Sequence, residues 1–212
     1  MQHKVLPDEQ FGFLSGRSAK WQLLSVLEDW HACLDSKSSV HAVFLDAAKA
    51  FDRVNHADLL SKLAEIGVRG PALKWFHCYF TGRRISTKVD GVLYDQAEIT
   101  SGVPQGSILG PLLFLIYFKD IPAVVRATSA LFADDTLLYW GDCMGDRSTP
   151  CCGIQDDLDC LSKWATASGV RFNASKSAEL CLGNCLPICP IELDGSVVPR
   201  ASAQLHLGVH ID

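Results

Sequence analysis

No stretch of this 212-residue chain is apolar enough to cross a bilayer as a helix. The longest apolar run, Ile108 to Phe118, contains Gly110 and Pro111 and falls well short of the roughly 20 residues a span needs. The opening residues, MQHKVLPDEQ, have no apolar signal core, so an intracellular protein is expected. An excess of base is also missing. Lys and Arg number 19 against 24 Asp and Glu, a net charge of −5, which excludes a wholesale basic surface for nucleic acid. There is no repeat and no low-complexity tract. No Gly-Lys-Ser/Thr phosphate loop is present, so ordinary nucleotide hydrolysis has no cradle. No Gly-x-Ser-x-Gly elbow is present for a Ser/His/Asp hydrolase. Apolar residues make up 48% and charged residues 20%, which rules out disorder. The length fits one domain. The nine cysteines are an odd number without a secretory signal, and the expectation is reduced, buried thiols.

What is there is a mixture of helices and strands without regular alternation. Leu23, Leu27, Trp30 and Leu34 recur at helical spacing and predict a helix over 18–35. Val40 to Leu45 reads as a buried strand. Asn55 caps a helix through Leu63 that Gly67 ends, and Pro71 opens another through Phe80. Asp90-Gly91 between two β-leaning runs signals a hairpin. The loop SGVPQGSILGP leads into an apolar helix to about Tyr117. Strand–turn–strand follows around Asp134-Asp135. Leu158, Leu161, Trp164 and Ala165 mark an amphipathic helix stopped at Gly169. This order favours an α+β fold, with helices packed on one face of a largely antiparallel sheet.

Two acidic sites fit a structural reading poorly. Asp46 directly follows the apolar run Ala42-Val43-Phe44-Leu45, and Asp134-Asp135 lies between Phe132-Ala133 and Thr136-Leu137-Leu138. A carboxylate at the end of a buried strand is costly unless it is paired or holds a metal. For Asp134-Asp135 alone the plain alternative is a turn, because Asp bonds its own backbone there. Two such sites converging on one sheet edge would offer hard oxygen ligands suited to Mg²⁺. A pair of such ions about 3.5–4 Å apart can activate a 3′-hydroxyl and stabilise a leaving pyrophosphate.

Six blocks, in order, carry a resemblance. They are QFGFLSGRS (10–18), VFLDAAKAFDRVNH (43–56), SGVPQGSILGPLLF (101–114), LFADD (131–135), GVRFNASKS (169–177) and LHLGVHID (205–212). Together they resemble the reverse transcriptase domain of non-LTR, LINE-type retrotransposons of the jockey/CR1-like sort, over nearly the whole chain. The resemblance implies a right-hand polymerase palm with the end of the fingers over residues 1–212, without a thumb. It implies an RNA-directed DNA polymerase, a nucleotidyltransferase that adds deoxynucleoside triphosphates to a DNA primer on an RNA template. Mg²⁺ would be its cofactor, two ions that Mn²⁺ can replace, and the nucleus and cytoplasm its compartments. Residue by residue, Asp46, Asp134 and Asp135 match the metal-binding triad. Phe51 matches the aromatic gate under the incoming sugar; its plain alternative is a core phenylalanine. Gln105 matches the residue touching the incoming nucleotide, and Gly106 lets backbone approach it; otherwise Pro104-Gln105-Gly106 is a turn. Lys176 matches a lysine near the pyrophosphate, a general acid; otherwise it is a solvated surface lysine.

There are departures. Leu14-Ser15 stands where the commoner pattern has Arg-Pro, and Arg17 or Lys20 is the expected substitute for a phosphate contact. Asp52 is expected to form a local pair or a cap with Arg53, and Lys119 replaces the usual Asn before Asp120. The family's upstream basic fingers block, its thumb and a nuclease domain are not among these residues, so the chain alone is expected to be weak or inactive. Three rivals remain at this point. An inactive or domesticated retroelement fragment would keep the palm as a nucleic-acid or partner-binding module. Another right-hand polymerase, a group II intron maturase or a viral RNA polymerase, would share the architecture. Cys185, Cys189, His206 and His210 form a C-x₃-C-x₁₆-H-x₃-H pattern that could hold zinc, although Pro190, Gly195 and Pro199 do not suit a finger.

Overall fold

The computed structural model describes residues 5–141, 150–183, 185 and 189–212, with backbone alone at 150–152. The elements run α1 (Ala19–Asp35), β1 (Val40–Leu45), a 3₁₀ turn (Ala50–Asp52), α2 (His56–Glu65) and α3 (Gly70–Phe80). Four short strands follow: β2 (Arg84–Ile85), β3 (Lys88–Val89), β4 (Val92–Leu93) and β5 (Ala97–Glu98). Then come α4 (Leu109–Phe118), α5 (Ile121–Val124), β6 (Thr128–Phe132), β7 (Asp135–Gly141) and α6 (Pro150–Ala167). The chain closes with β8 (Ala178–Leu182), β9 (Glu192–Leu193), β10 (Ser196–Val197), β11 (Arg200–Ala201), β12 (Gln204–His206) and β13 (Val209–Ile211).

Local chemistry sets the boundaries. Ser18 caps α1 by accepting from the Trp21 amide, and Asn55 caps α2 by accepting from Ala57 and Asp58, satisfying amides that have no partner inside a helix. Pro71 sits in the first turn of α3, where its missing N–H costs nothing. Asp90-Gly91 turns the β3–β4 hairpin as expected, with φ of 48° and 85°.

The main sheet has the order β11-β8-β1-β7-β6. Its pairs are antiparallel except β11 with β8, which is parallel. Every residue of β1 is buried, as a central strand covered on both faces requires. Val43 and Leu45 belong to a core with Leu59 of α2, Phe114 of α4 and Leu158 of α6. Val40, Ala42 and Phe44 point the other way, into a second core with Val26 and Trp30 of α1. The α+β palm therefore stands, but the expected single helical face does not. α2, α4 and α6 cover one face, and α1 covers the opposite one, because β1 is apolar at every position but His41 and leaves no face for water.

The cysteines depart from expectation too. Cys181 and Cys185 form a disulfide, and Cys33 is also disulfide-bonded. The free thiols among the described residues, Cys78, Cys160 and Cys189, are exposed rather than buried.

One buried acid ties the sheet to α6. Asp157, 2% exposed, accepts from the Ala127 amide at 2.8 Å, the Arg126 amide at 3.1 Å and Trp140 Nε1 at 3.2 Å. Asp157→Ala would strand these donors, and breaking a buried charged network typically costs about 3–5 kcal/mol. Urea denaturation should show that loss as a lower midpoint with unchanged slope.

Candidate active site

The turn between β6 and β7 is where the sequence and the sheet meet. Ala133 adopts φ of +58°, so the chain reverses in a tight hairpin and presents Asp134 and Asp135 at the sheet edge. β7 pairs antiparallel with β1, and Leu45 faces Thr136. Asp46 and Asp135 are the next residues outward on their two strands. The register alone thus brings the first expected carboxylate beside the other two.

Asp46 and Asp134 are half-buried and Asp135 is exposed. The backbone of Asp46 is held on both sides: its amide donates to Ser177 Oγ at 3.2 Å, and its carbonyl accepts from the Asn173 amide at 2.8 Å. The segment 171–177 is thereby laid against the end of β1, and Ala48 adds a third bond to the Arg171 carbonyl at 2.8 Å. Lys176, in this segment, is exposed and lines a concavity of about 130 Å³ with Asp46, Asp135 and Thr136. Gln204 and His206 close its other side.

The carboxyls repel. Burial raises the Asp134 pKa, with the Asp46 charge adding to it against its own backbone hydrogen bond; burial raises that of Asp135, with Asp134 and then Asp46 adding. Among the described residues no lysine or arginine pairs with any of the three. The aspartate oxygens do not all lie within 4.8 Å of one another, as expected for like charges. Three hard oxygen donors in unpaired excess negative charge suit a divalent cation that keeps several waters.

The other expected residues lie on a second set of contacts. Phe51 is in the 3₁₀ turn just past β1; it is half-buried, stacks on Phe114 at 4.0 Å and meets Phe13 edge-on at 6.3 Å. Gln105 and Gly106 are exposed at the tip of the 101–106 loop. That loop is stitched to the 3₁₀ turn: Gly102 N donates to Val54 O at 2.8 Å and Val103 N to Phe51 O at 2.9 Å. A Cβ on Gly102 would lie 2.9 Å from Asp52 Cα, so only glycine permits this approach. Gln105 Nε2 donates to Asp52 Oδ1 at 2.9 Å. Asp52 thus orients Gln105 instead of pairing with Arg53.

Sequence reasoning missed what supports the hairpin from behind. Gln10, 1% exposed, accepts at Oε1 from the amides of Gly12 (2.8 Å) and Ala133 (2.9 Å). A Cβ on Gly12 would come within 2.4 Å of Ala133 N. The signal was the Gln-Phe-Gly block itself, whose buried amide only the fold reveals. Arg17 is engaged as well, pairing with Asp8 at 2.9 Å and bonding the Gln10 carbonyl at 2.6 Å; it braces this loop and is not a free phosphate ligand. The zinc pattern is not assembled. Cys189 and His210 are exposed, whereas His206 is buried against Phe44, its pKa pushed down to about 4 by burial.

The repulsion has a pH signature. Folded-state pKa values above the unfolded ones favour the protonated native state, so this contribution is present at low pH and lost as pH rises through the raised values. In chelator-containing buffer, Asp134→Asn should therefore melt higher than the parent at pH 7. The difference should vanish below about pH 4, where the unfolded carboxylates also protonate. Melting curves of the two chains across pH are the check.

The chain is similar to known proteins along its whole length. A family profile described as "Reverse transcriptase (RNA-dependent DNA polymerase)" matches residues 1–211. The chain is 34% identical over 216 residues to "Probable RNA-directed DNA polymerase from transposon X-element" of Drosophila melanogaster, covering 98% of this chain and 23% of that protein. It is 32% identical over 219 residues to "RNA-directed DNA polymerase from mobile element jockey" of the same species, covering 99% of this chain and 24% of that protein. It therefore spans about a quarter of the length of these relatives. Among solved structures, apo telomerase from Candida tropicalis, truncated from its C-terminal domain, superposes with a TM-score of 0.60 at 15% identity, covering 88% of this chain and 38% of that one. That likeness shows a shared fold. With the profile matching from end to end, the chain belongs to the reverse transcriptase family.

Proposed function

We propose that this chain is the palm, with the end of the fingers, of an RNA-directed DNA polymerase of a non-LTR retrotransposon. One observation carries the reading: the β1–β7 register sets Asp46 beside Asp134-Asp135 at one sheet edge, and nothing in the packing of the palm requires unpaired acids there. The substrates are deoxynucleoside triphosphates, a DNA primer and an RNA template, which places the work in the nucleus or cytoplasm. Asp46, Asp134 and Asp135 are the residues to hold Mg²⁺, or Mn²⁺ in its place. When bound, two such ions would lower the pKa of the primer 3′-hydroxyl and offset charge on the leaving pyrophosphate. The remaining roles belong to side chains. Phe51, braced by Phe114, presents its ring to the sugar and leaves a 2′-hydroxyl no polar partner. Gln105, oriented by Asp52, contacts the incoming nucleotide where Gly106 leaves the backbone open. Lys176, across the concavity from Asp46, is placed to give a proton to the departing pyrophosphate.

The net charge of −5 accords with a palm whose basic grip on the duplex lies in other segments. In a polypeptide that contains residues 1–212 and extends a primer, Asp46→Asn and Asp134→Asn should each cut extension on RNA by about 100-fold or more, the scale of a lost electrostatic contact to the transition state. Wild-type extension by both would leave the palm as a binding module only.

A packing role for Phe51 has its own support in the stack on Phe114, and the two readings diverge. As a sugar gate, Phe51→Val should lower the dCTP-over-CTP ratio of kcat/KM by about 10–100-fold. As core packing alone, it should cost about 1–4 kcal/mol of stability and leave that ratio unchanged at matched folded fraction.

A further inference from the structure

At the other end of β1 from Asp46 lies a second group of ligand-type side chains that polymerisation does not use. His41 is five residues before Asp46, about 16 Å along an extended strand. In the β1–β8 ladder His41 faces Cys181 directly, so both side chains project from the same face of the sheet. His41 Nε2 and Cys181 Sγ are 3.8 Å apart. After β8 the chain reverses, with the Cys185 amide donating to the Gly183 carbonyl at 3.0 Å, and this turn returns Cys185 to the pair. The three ligand atoms all lie within 4.8 Å of one another. His41 is buried and the two cysteines are half-buried.

We propose that His41, Cys181 and Cys185 form a binding site for a soft divalent cation, Zn²⁺ above all, when the two cysteines are reduced. The 3.8 Å between His41 Nε2 and Cys181 Sγ suits it, and reduction frees Cys185 Sγ to move to a similar distance. Zinc bonds of about 2.3 Å to sulfur and 2.0–2.1 Å to nitrogen, set tetrahedrally, separate ligand atoms by about 3.5–3.8 Å. The Cα–Cα separation of 6.3 Å between the cysteines lies within disulfide range and also lets two thiolates share one ion. The donor set, one imidazole and two sulfurs, selects zinc over the hard cations that suit the aspartates.

Disulfide and metal are exclusive states of the same two sulfurs. A thiol or phosphine reductant supplies the two electrons that open the bond, and two protons complete the thiols. Zn²⁺ then displaces both thiol protons, while neutral His41 contributes its Nε2 lone pair and no proton. A water takes the fourth position. No oxidation state changes on metal binding. The bound ion would pin β8 and its following turn to β1, the strand that ends at Asp46. This site shares only Cys185 with the C-x₃-C-x₁₆-H-x₃-H pattern, and its His41 and Cys181 are far apart in sequence.

The test uses the chain reduced with a phosphine, with free thiols titrated, and Co²⁺ as a spectroscopic stand-in for zinc. We expect sulfur-to-cobalt charge-transfer absorption and tetrahedral d–d bands that saturate at one equivalent and that Zn²⁺ abolishes. His41→Ala and Cys181→Ser should weaken binding by more than the roughly 10–100-fold lost with a mere supporting group. Cys78→Ser, Cys160→Ser and Asp134→Asn should keep the bands, which separates this site from the carboxylates. The absence of charge-transfer bands in fully reduced wild type, their persistence in Cys181→Ser, or a Cys181–Cys185 bond that survives the reductant would each overturn the proposal.

Discussion

The antiparallel register of β1 against β7 is the constraint on which the rest depends. With Leu45 opposite Thr136, Asp46 and Asp135 emerge together at one edge. A slip of one residue would send Asp46 toward the opposite face and bury the alternate set of β1 side chains. The observed register seats Val43 and Leu45 against α2, α4 and α6, and Val40, Ala42 and Phe44 against α1, so each face of β1 has its own partner. Hydrophobic burial on two sides thus sets the position of a charged site at the edge.

Around that register the surrounding loops act as braces. Gln10 and Gly12 press on the back of the β6–β7 turn, segment 171–177 clasps the backbone of Asp46, and the 101–106 loop is sewn to the 3₁₀ turn that carries Phe51. Each brace bonds backbone to backbone, or a side-chain amide or hydroxyl oxygen to a backbone N–H. Such contacts position the candidate residues while leaving their functional atoms free to meet a substrate. The mutual repulsion of the carboxyls is tolerated because these braces, and not the aspartates, hold the hairpin.

The opposite ends of β1 have contrasting chemistry. One end gathers hard oxygen donors at Asp46, Asp134 and Asp135, and the other gathers imidazole and sulfur at His41, Cys181 and Cys185. Strand pairing produces both, since a ladder places side chains from distant parts of the sequence side by side at fixed spacing.

Much of the secondary structure was legible in the residues. The cap at Asn55, the Pro71 start, the Asp90-Gly91 hairpin and the acid-bearing hairpin around Asp134-Asp135 are local signals, decided by neighbours within a few positions. Asp46 and Asp134-Asp135 stood out because a carboxylate beside a buried strand is costly anywhere. The near-continuous apolar run of β1 is the pattern of a strand covered on both faces, but that α1 is the helix covering the second face is decided only by the fold. The buried acid Asp157, the amide of Gln10 and the Asp52–Gln105 bond were hidden because a polar side chain shows its partner only across the fold. The cysteines show the division most plainly. Sequence spacing grouped Cys185 with Cys189, His206 and His210, whereas the fold groups Cys185 with Cys181 and His41. Sequence by itself determined which residues could be ligands; the pairing of β1 with β7 and β8 decided which of them meet, because distance in space is set by strand register and not by separation along the chain.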